Sequence, residues 1–190
     1  MKKQLLSLVM MLLPMVSMAD AVEIDGIYYN LNSEDKVAEV TSNPNKYIGY
    51  VNIPESVTYE GVKYNVTAIG NSAFYNCKKL DSITIPNGVT EISGWSFDGC
   101  TSLTSIDIPN SVIFIGKNAF EDCSGLTSVT IPNSVTSIGD EAVRDCSGLT
   151  SVTIGNSVTS IGNEAFSYCS GLTSVTIPNS VTSIGKWAFW

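Results

Sequence analysis

The chain has 190 residues, 44% of them hydrophobic and 15% charged, which excludes a wholly disordered protein and allows one domain or a short repeat array. Ten Lys and Arg against eighteen Asp and Glu leave a net charge of −8, a sign that repels phosphate backbones and argues against a nucleic-acid partner. Histidine is absent, which removes the commonest general base, His-containing metal sites and Ser-His or Cys-His pairs; this composition argues against an enzyme.

Residues 1–19 read as a secretory signal peptide: Met1-Lys2-Lys3 is basic, Leu5 to Val16 is apolar, and Ser17-Met18-Ala19 offers small residues for cleavage. Cleavage is expected after Ala19, with Ala21 as the alternative. The apolar run is shorter than the ~20 residues that span a bilayer. All five Met lie in this leader, and removing Lys2 and Lys3 takes the charge to −8 − 2 = −10. No transmembrane segment is expected in the product, which would leave the cell as a secreted or surface protein.

Residues 20–50 are expected to form an N-terminal β cap. Val22 to Tyr29 reads as a hairpin turning at Asp25-Gly26. Ser33 to Asn45 is polar apart from Val37 and Val40 and reads as a loop or weak strand. The tyrosines of this segment could instead form a binding patch. A solenoid is expected over residues 51–190, beginning near Val51-Asn52-Ile53-Pro54. Its first coil carries an insertion, because the Ile-Pro pair recurs after 85 − 53 = 32 residues, against 23 later. Tyr59 to Tyr64 reads as a small hairpin projecting from that coil.

The repeat dominates the sequence. Cys77, Cys100, Cys123, Cys146 and Cys169 are spaced by 23, as are Leu80, Leu103, Leu126, Leu149 and Leu172. Ile69, Ile92, Ile115, Ile138, Ile161 and Ile184 keep that interval too. So do Phe74, Phe97, Phe120, Phe166 and Phe189, with Val143 standing in once. A fixed period of this length indicates a solenoid. The unit Leu126 to Gly148 places a short β-branched strand at Val129-Thr130-Ile131, stopped by Pro132-Asn133. A shorter strand follows at Val135 to Ile138, and the spacing of Asp140 to Cys146 predicts a single helical or 3₁₀ turn. The expected fold is therefore a β-rich leucine-rich-repeat solenoid of about six 23-residue coils. A lone coil cannot bury its own apolar side, so coils stack with equivalent strands ~4.8 Å apart.

Stacking makes the cysteines a structural column. Their Cβ atoms would lie near ~4.8 Å with parallel Cα–Cβ bonds, whereas a disulfide needs about 3.8 Å and converging bonds. Cys77, Cys100, Cys123, Cys146 and Cys169 are thus expected to be buried free thiols rather than disulfides or metal ligands. No cofactor is implied.

The pattern Cys-x-x-Leu-x-x-Val/Ile-x-Ile-Pro-x-x-Val-x-x-Ile-Gly-x-x-Ala-Phe, clearest from Cys123 to Phe166 and from Cys169 to Phe189, resembles the BspA-like class of bacterial leucine-rich repeats. The departures are local: Gly155 for the strand-ending Pro, Ser93-Gly94 at one corner, and Val143 for Phe. The resemblance implies a bacterial protein exported to the medium or the cell surface, often an adhesin for host matrix proteins or other cells.

On the first strand of each coil the outward positions are Ser82 and Thr84, Ser105 and Asp107, Ser128 and Thr130, Ser151 and Thr153, and Ser174 and Thr176. The last four pairs form the candidate binding face. In a curved solenoid this sheet lines the concave side, which such proteins use for binding; the alternative is that Ser and Thr only keep a β surface soluble. A surface that repeats one group suits broad contact with a macromolecule, a host or bacterial surface protein or a glycan, better than catalysis. A carbohydrate-binding module and a structural, self-associating module are the other readings. Asp98, Glu121, Asp122, Asp140, Glu141 and Asp145 lack a recognised calcium spacing and read as a solvated face. Trp95, Tyr75, Tyr168 and Trp187 lie in the same turns, where they could grip a ligand or pack. The last coil is incomplete at Trp190, which suggests a shortened array, a lid made by Trp187 and Trp190, or end-to-end association.

Overall fold

The computed structural model describes residues 21–190; the signal peptide expected over residues 1–19 lies outside the described residues. Fourteen strands occur in it. In chain order they are β1 (Val22–Ile24), β2 (Ile27–Asn32), β3 (Val37–Thr41), β4 (Ile48–Asn52), β5 (Ser56–Tyr59), β6 (Val62–Ile69) and β7 (Lys79–Thr84). They continue as β8 (Glu91–Ile92), β9 (Phe114–Ile115), β10 (Ser128–Ile131), β11 (Ser137–Ile138), β12 (Ser151–Ile154), β13 (Ser160–Ile161) and β14 (Ser183–Ile184).

The coils stack in register at the expected interval. Ser137 pairs with Ser160 and Ile138 with Ile161, and Ser128 to Ile131 pair with Ser151 to Ile154, all in parallel. The longer ladder runs through the second strands of the coils: β3, β6, β8, β9, β11, β13 and β14 lie side by side in one sheet. The first strands form two separate two-stranded sheets, β4 with β7 and β10 with β12; the coil between them joins the second sheet by a single bridge from Ser105 to Ser128. Leu80, Leu103, Leu126 and Leu149 are fully buried, as are Ile69, Ile92 and Ile115. Phe74, Phe97 and Phe120 stack with ring centroids 5.0 and 5.3 Å apart, and Tyr47 extends the column, 4.6 Å from Phe74.

The turn segment differs from expectation: no helix forms among the described residues, and Asp140 to Cys146 is a chain of tight turns. Backbone conformation is the cause. Glu141 and Asp145 hold φ of 56° and 57°, the left-handed region that interrupts a right-handed helix. Alternate amides then serve different coils. Ala142 and Arg144 donate back to Gly139 and Glu141, whereas Glu141, Val143 and Asp145 donate to Asn163, Ala165 and Ser167 of the next coil at 2.8–2.9 Å. Such a backbone costs about 1–3 kcal/mol per strained residue. A ladder of inter-coil bonds, which a helix would forgo, offsets that cost.

The N-terminal region is more tightly built than its polarity suggests. The hairpin β1–β2 turns at Asp25 (φ 51°) and Gly26 (φ 81°). The segment read as a loop or weak strand contains β3, which pairs antiparallel with β2 and parallel with β6. Ala38 and Val40 of β3 are fully buried. Parallel stacking therefore reaches back to Val37. The inserted hairpin β5–β6 turns at Glu60-Gly61; residues 58–63 are exposed at its tip, while Val57 and Tyr64 anchor its base in the core. No helix among the described residues is long and apolar enough to cross a membrane.

Candidate binding face

Alternation along the first strands sends Val129, Ile131, Val152 and Ile154 inward and the residues between them outward. Ser105, Asp107, Ser128, Thr130, Ser151, Thr153, Ser174 and Thr176 are all exposed. Ser128 lies beside Ser151 and Thr130 beside Thr153, so the hydroxyls form two straight rows. Their side chains make no hydrogen bond to described residues.

Neighbouring Thr rows behave differently, and sequence reasoning missed them. Thr127 Oγ1 donates to Thr104 O at 3.3 Å and Thr150 Oγ1 to Thr127 O at 3.1 Å. A second such ladder runs along the short strands, with Thr159 Oγ1 on Thr136 O at 3.0 Å and Thr182 Oγ1 on Thr159 O at 3.2 Å. In both ladders the donor and acceptor are 23 residues apart, a signal present in the repeat itself. These hydroxyls tie coils together, whereas those of the candidate face remain available. β4 heads the face: Tyr50 aligns with Ser82 and Asn52 with Thr84, and the Tyr50 hydroxyl hydrogen-bonds Thr84 Oγ1 at 2.9 Å.

The turn edge is the region that varies between coils. Trp95, Asn118, Glu141, Glu164 and Trp187 occupy one equivalent position. Arg144 gathers carboxylates from three coils: Glu141 at 2.9 Å, Asp145 at 3.3 Å, Glu121 at 3.4 Å and Glu164 at 3.6 Å, with the Tyr168 ring centroid 5.4 Å away. Lys117 reaches Glu141 at 3.1 Å. Among the described residues Asp98 has no such cation. Burial, reinforced by Glu121 and Asp122, raises its carboxyl to about 6. Among the described residues no group of three or more His, Cys, Asp or Glu could hold a metal ion. Trp95, Tyr75, Tyr168 and Trp187 are exposed along this edge, and Tyr168 and Trp187 line one cleft with Glu164 and Trp190. Of the three readings of the unfinished last coil, a lid made by Trp187 and Trp190 is not what the structure shows: they are 65% and 67% exposed, and Trp190 packs edge-on against Tyr168 beside an open cleft of about 550 Å³.

Cys77, Cys100, Cys123, Cys146 and Cys169 are free and buried, as the spacing argument required. From Cys100 onward each thiol donates to a backbone carbonyl of the preceding coil, 26 residues back: Phe74, Phe97, Phe120 and Val143, at 3.0–3.2 Å. The column is thus a set of inter-coil ties. Burial pushes the Cys77, Cys100 and Cys123 thiols up, Cys123 to about 12, which suppresses the reactive thiolate.

Residues 67–190 match the BspA type leucine-rich repeat region in six copies. The chain belongs to this family. A leucine-rich repeat protein from Bacteroides ovatus is 35% identical with a TM-score of 0.67, the alignment covering 88% of this chain and 50% of that one. A leucine-rich cell surface protein from Faecalibacterium prausnitzii is 34% identical with a TM-score of 0.66, covering 89% and 51%. The T. pallidum leucine-rich repeat protein TpLRR is 29% identical with a TM-score of 0.72, covering 87% and 86%. The chain therefore spans about half the length of the first two of these leucine-rich repeat proteins. No curated protein matches it. Proteins built from such repeats act as scaffolds for binding, and the described surface contains no convergent set of catalytic groups.

Proposed function

We propose that this protein is an exported, non-enzymatic binding module that presents its Ser/Thr rows to a protein at a bacterial or host cell surface. One observation carries the reading: Ser128, Thr130, Ser151 and Thr153 stand exposed in parallel register with unspent hydroxyls, beside Thr rows whose hydroxyls are consumed within the fold. Equivalent groups spaced ~4.8 Å apart favour an extended contact in which weak hydrogen bonds act together. The similarity to a cell surface protein of F. prausnitzii supports a surface location. Carbohydrate is the second reading, favoured by Tyr50, whose 63% exposed ring heads the hydroxyl rows and gives a sugar an aromatic platform.

The test is binding of the mature protein to immobilised extracellular-matrix proteins and to a glycan array, beside the variant Thr130→Lys/Thr153→Lys/Thr176→Lys. The proposal expects matrix-protein binding that the variant weakens roughly tenfold or more, as several shared contacts are lost. Matrix binding that the variant leaves unchanged would refute the face. Glycan binding lost on Tyr50→Ala would establish the second reading instead.

A further inference from the structure

We propose that the cleft between Tyr168, Trp187 and Trp190 is a binding site for a methylated ammonium group, the head of a choline-like cation. The cleft measures about 380 Å³ and is lined by these three rings and by Glu164, a volume that suits a small ligand. Two coils build it. Glu164 and Tyr168 belong to one turn segment, Trp187 and Trp190 to the next. Stacking holds the two segments in register: the Glu164 amide donates to Lys186 O at 2.9 Å and the Tyr168 amide to Trp190 O at 2.8 Å.

The repeat supplies its own comparison. One coil earlier the same four places hold Glu141, Asp145, Glu164 and Ser167, and four coils earlier they hold Ser72, Asn76, Trp95 and Asp98. No earlier pair of coils places more than one aromatic ring at these positions. Trp187 and Trp190 are also the most exposed of the large apolar side chains described. Aromatic surface left in water beside a carboxylate, where the other coils set polar residues, marks a contact site.

Chemistry selects the ligand. Trp190 meets Tyr168 edge to face, with centroids 4.7 Å apart and planes at 82°, so two ring faces meet at a corner of the cleft that Trp187 also lines. The face of an aromatic ring attracts a cation. The fold uses this attraction twice already: Arg144 lies 5.4 Å from the Tyr168 centroid and Lys46 lies 5.6 Å from that of Tyr75. Among the described residues Trp187 and Trp190 have no such partner. Three rings against one carboxylate favour a cation without N–H groups, because a methylated ammonium needs no hydrogen-bond acceptor when it leaves water. Neither Arg144 nor Lys186 lines the cleft. Arg144 lies 3.6 Å from Glu164, but its charge is also met by Glu121, Glu141 and Asp145. Residues 117–190 carry six Asp and Glu against three Lys and Arg, so the surroundings do not repel a cation. The site requires nothing of the Ser/Thr rows, and either proposal can fail alone.

The experiment titrates the mature chain with choline and follows the indole N–H signals of its tryptophans by NMR. Saturable shifts are expected at Trp187 and Trp190 and none at Trp95. The uncharged tert-butyl isostere of choline should bind about fivefold more weakly or worse, because it keeps the shape and loses the attraction to the rings. Trp187→Ala, a change at an exposed side chain, should weaken choline to a similar degree. Glu164→Gln should weaken it roughly twofold. Butylammonium, a primary ammonium, should bind more weakly than choline. Phosphocholine separates two sources of the same group: weaker binding than choline assigns a phosphate-free solute, and tighter binding assigns a phosphorylated headgroup, each with the ammonium in the cleft. Absence of saturable shifts at Trp187 and Trp190, equal binding of the uncharged isostere, a primary ammonium that binds as tightly as choline, or choline binding unchanged by Trp187→Ala would overturn the proposal.

Discussion

Residues 125–139 and 171–185 have the same sequence, GLTSVTIPNSVTSIG, yet they are built differently. In the central copy Leu126 and Val135 are fully buried, Ile138 is 2% exposed, and Ser128–Ile131 is a strand. In the last copy Leu172, Val175, Ile177 and Val181 are only partly buried, Ile184 is 51% exposed, and no strand forms at 174–177. Local propensity is identical, so the difference measures what the neighbouring coils contribute. A coil covers little of its own apolar side and borrows the rest, as expected for nearest-neighbour stabilisation in a solenoid.

The largest test of this contrast is truncation at equivalent positions. Leu126→Ala should destabilise by about 2–5 kcal/mol, the range for a closed core site. Leu172→Ala should cost less than half as much in the same denaturant titration. Comparable losses would mean that the last coil is as well packed as the central one.

The borrowing has a direction, which the corner glycines expose. A Cβ at Gly139 would lie 2.6 Å from Gly116 C, and one at Gly185 2.4 Å from Asn163 N, both backbone atoms of the preceding coil. Gly139→Ala and Gly185→Ala should therefore cost similar amounts, about 1–3 kcal/mol each by overpacking. A harmless Gly185→Ala beside a costly Gly139→Ala would show that the last coil is not held against its predecessor at that corner.

A smaller, pH-dependent effect distinguishes the turn edge. Because the fold raises Asp98 to about 6 from 3.8, the native state holds its proton more tightly than the unfolded chain. The contribution of Asp98 to stability is therefore favourable at acid pH and is lost as pH rises from about 4 to 6. Asp98→Asn should raise the melting temperature at pH 7 and leave it nearly unchanged at pH 4. Equal effects at both pH values would place the cause outside ionisation.

Much of the fold could be read from the sequence because its determinants recur. The interval between Cys77 and Cys100, repeated with Leu and Ile, announced stacking, and stacking geometry alone required free thiols. Asp25-Gly26 marked a turn by residue type. The turn segment was misread as helical because Glu141 gives no outward sign of left-handed backbone; the hints lie in other coils, in Asn76 and Gly99 at the position equivalent to Asp145 and Asn118 at that of Glu141. β3 was underestimated because Ala38 and Val40 are few and their partners lie in β6, far along the chain. On the candidate face, alternation gave the outward residues correctly. The separation of spent from unspent hydroxyls was not legible, since Thr127 and Thr130 are alike as residues and differ only in which carbonyl lies within reach.

Residue-resolved amide exchange of the mature chain tests the stacking claim most directly. Thr127 N–H donates to Thr104 O at 3.2 Å and Thr150 N–H to Thr127 O at 3.0 Å, whereas Thr173 makes no such bond in the last coil. The account predicts Thr127 and Thr150 amides that exchange orders of magnitude more slowly than Thr173, despite identical flanking sequence at Thr127 and Thr173. Equal exchange of Thr127 and Thr173 would contradict it.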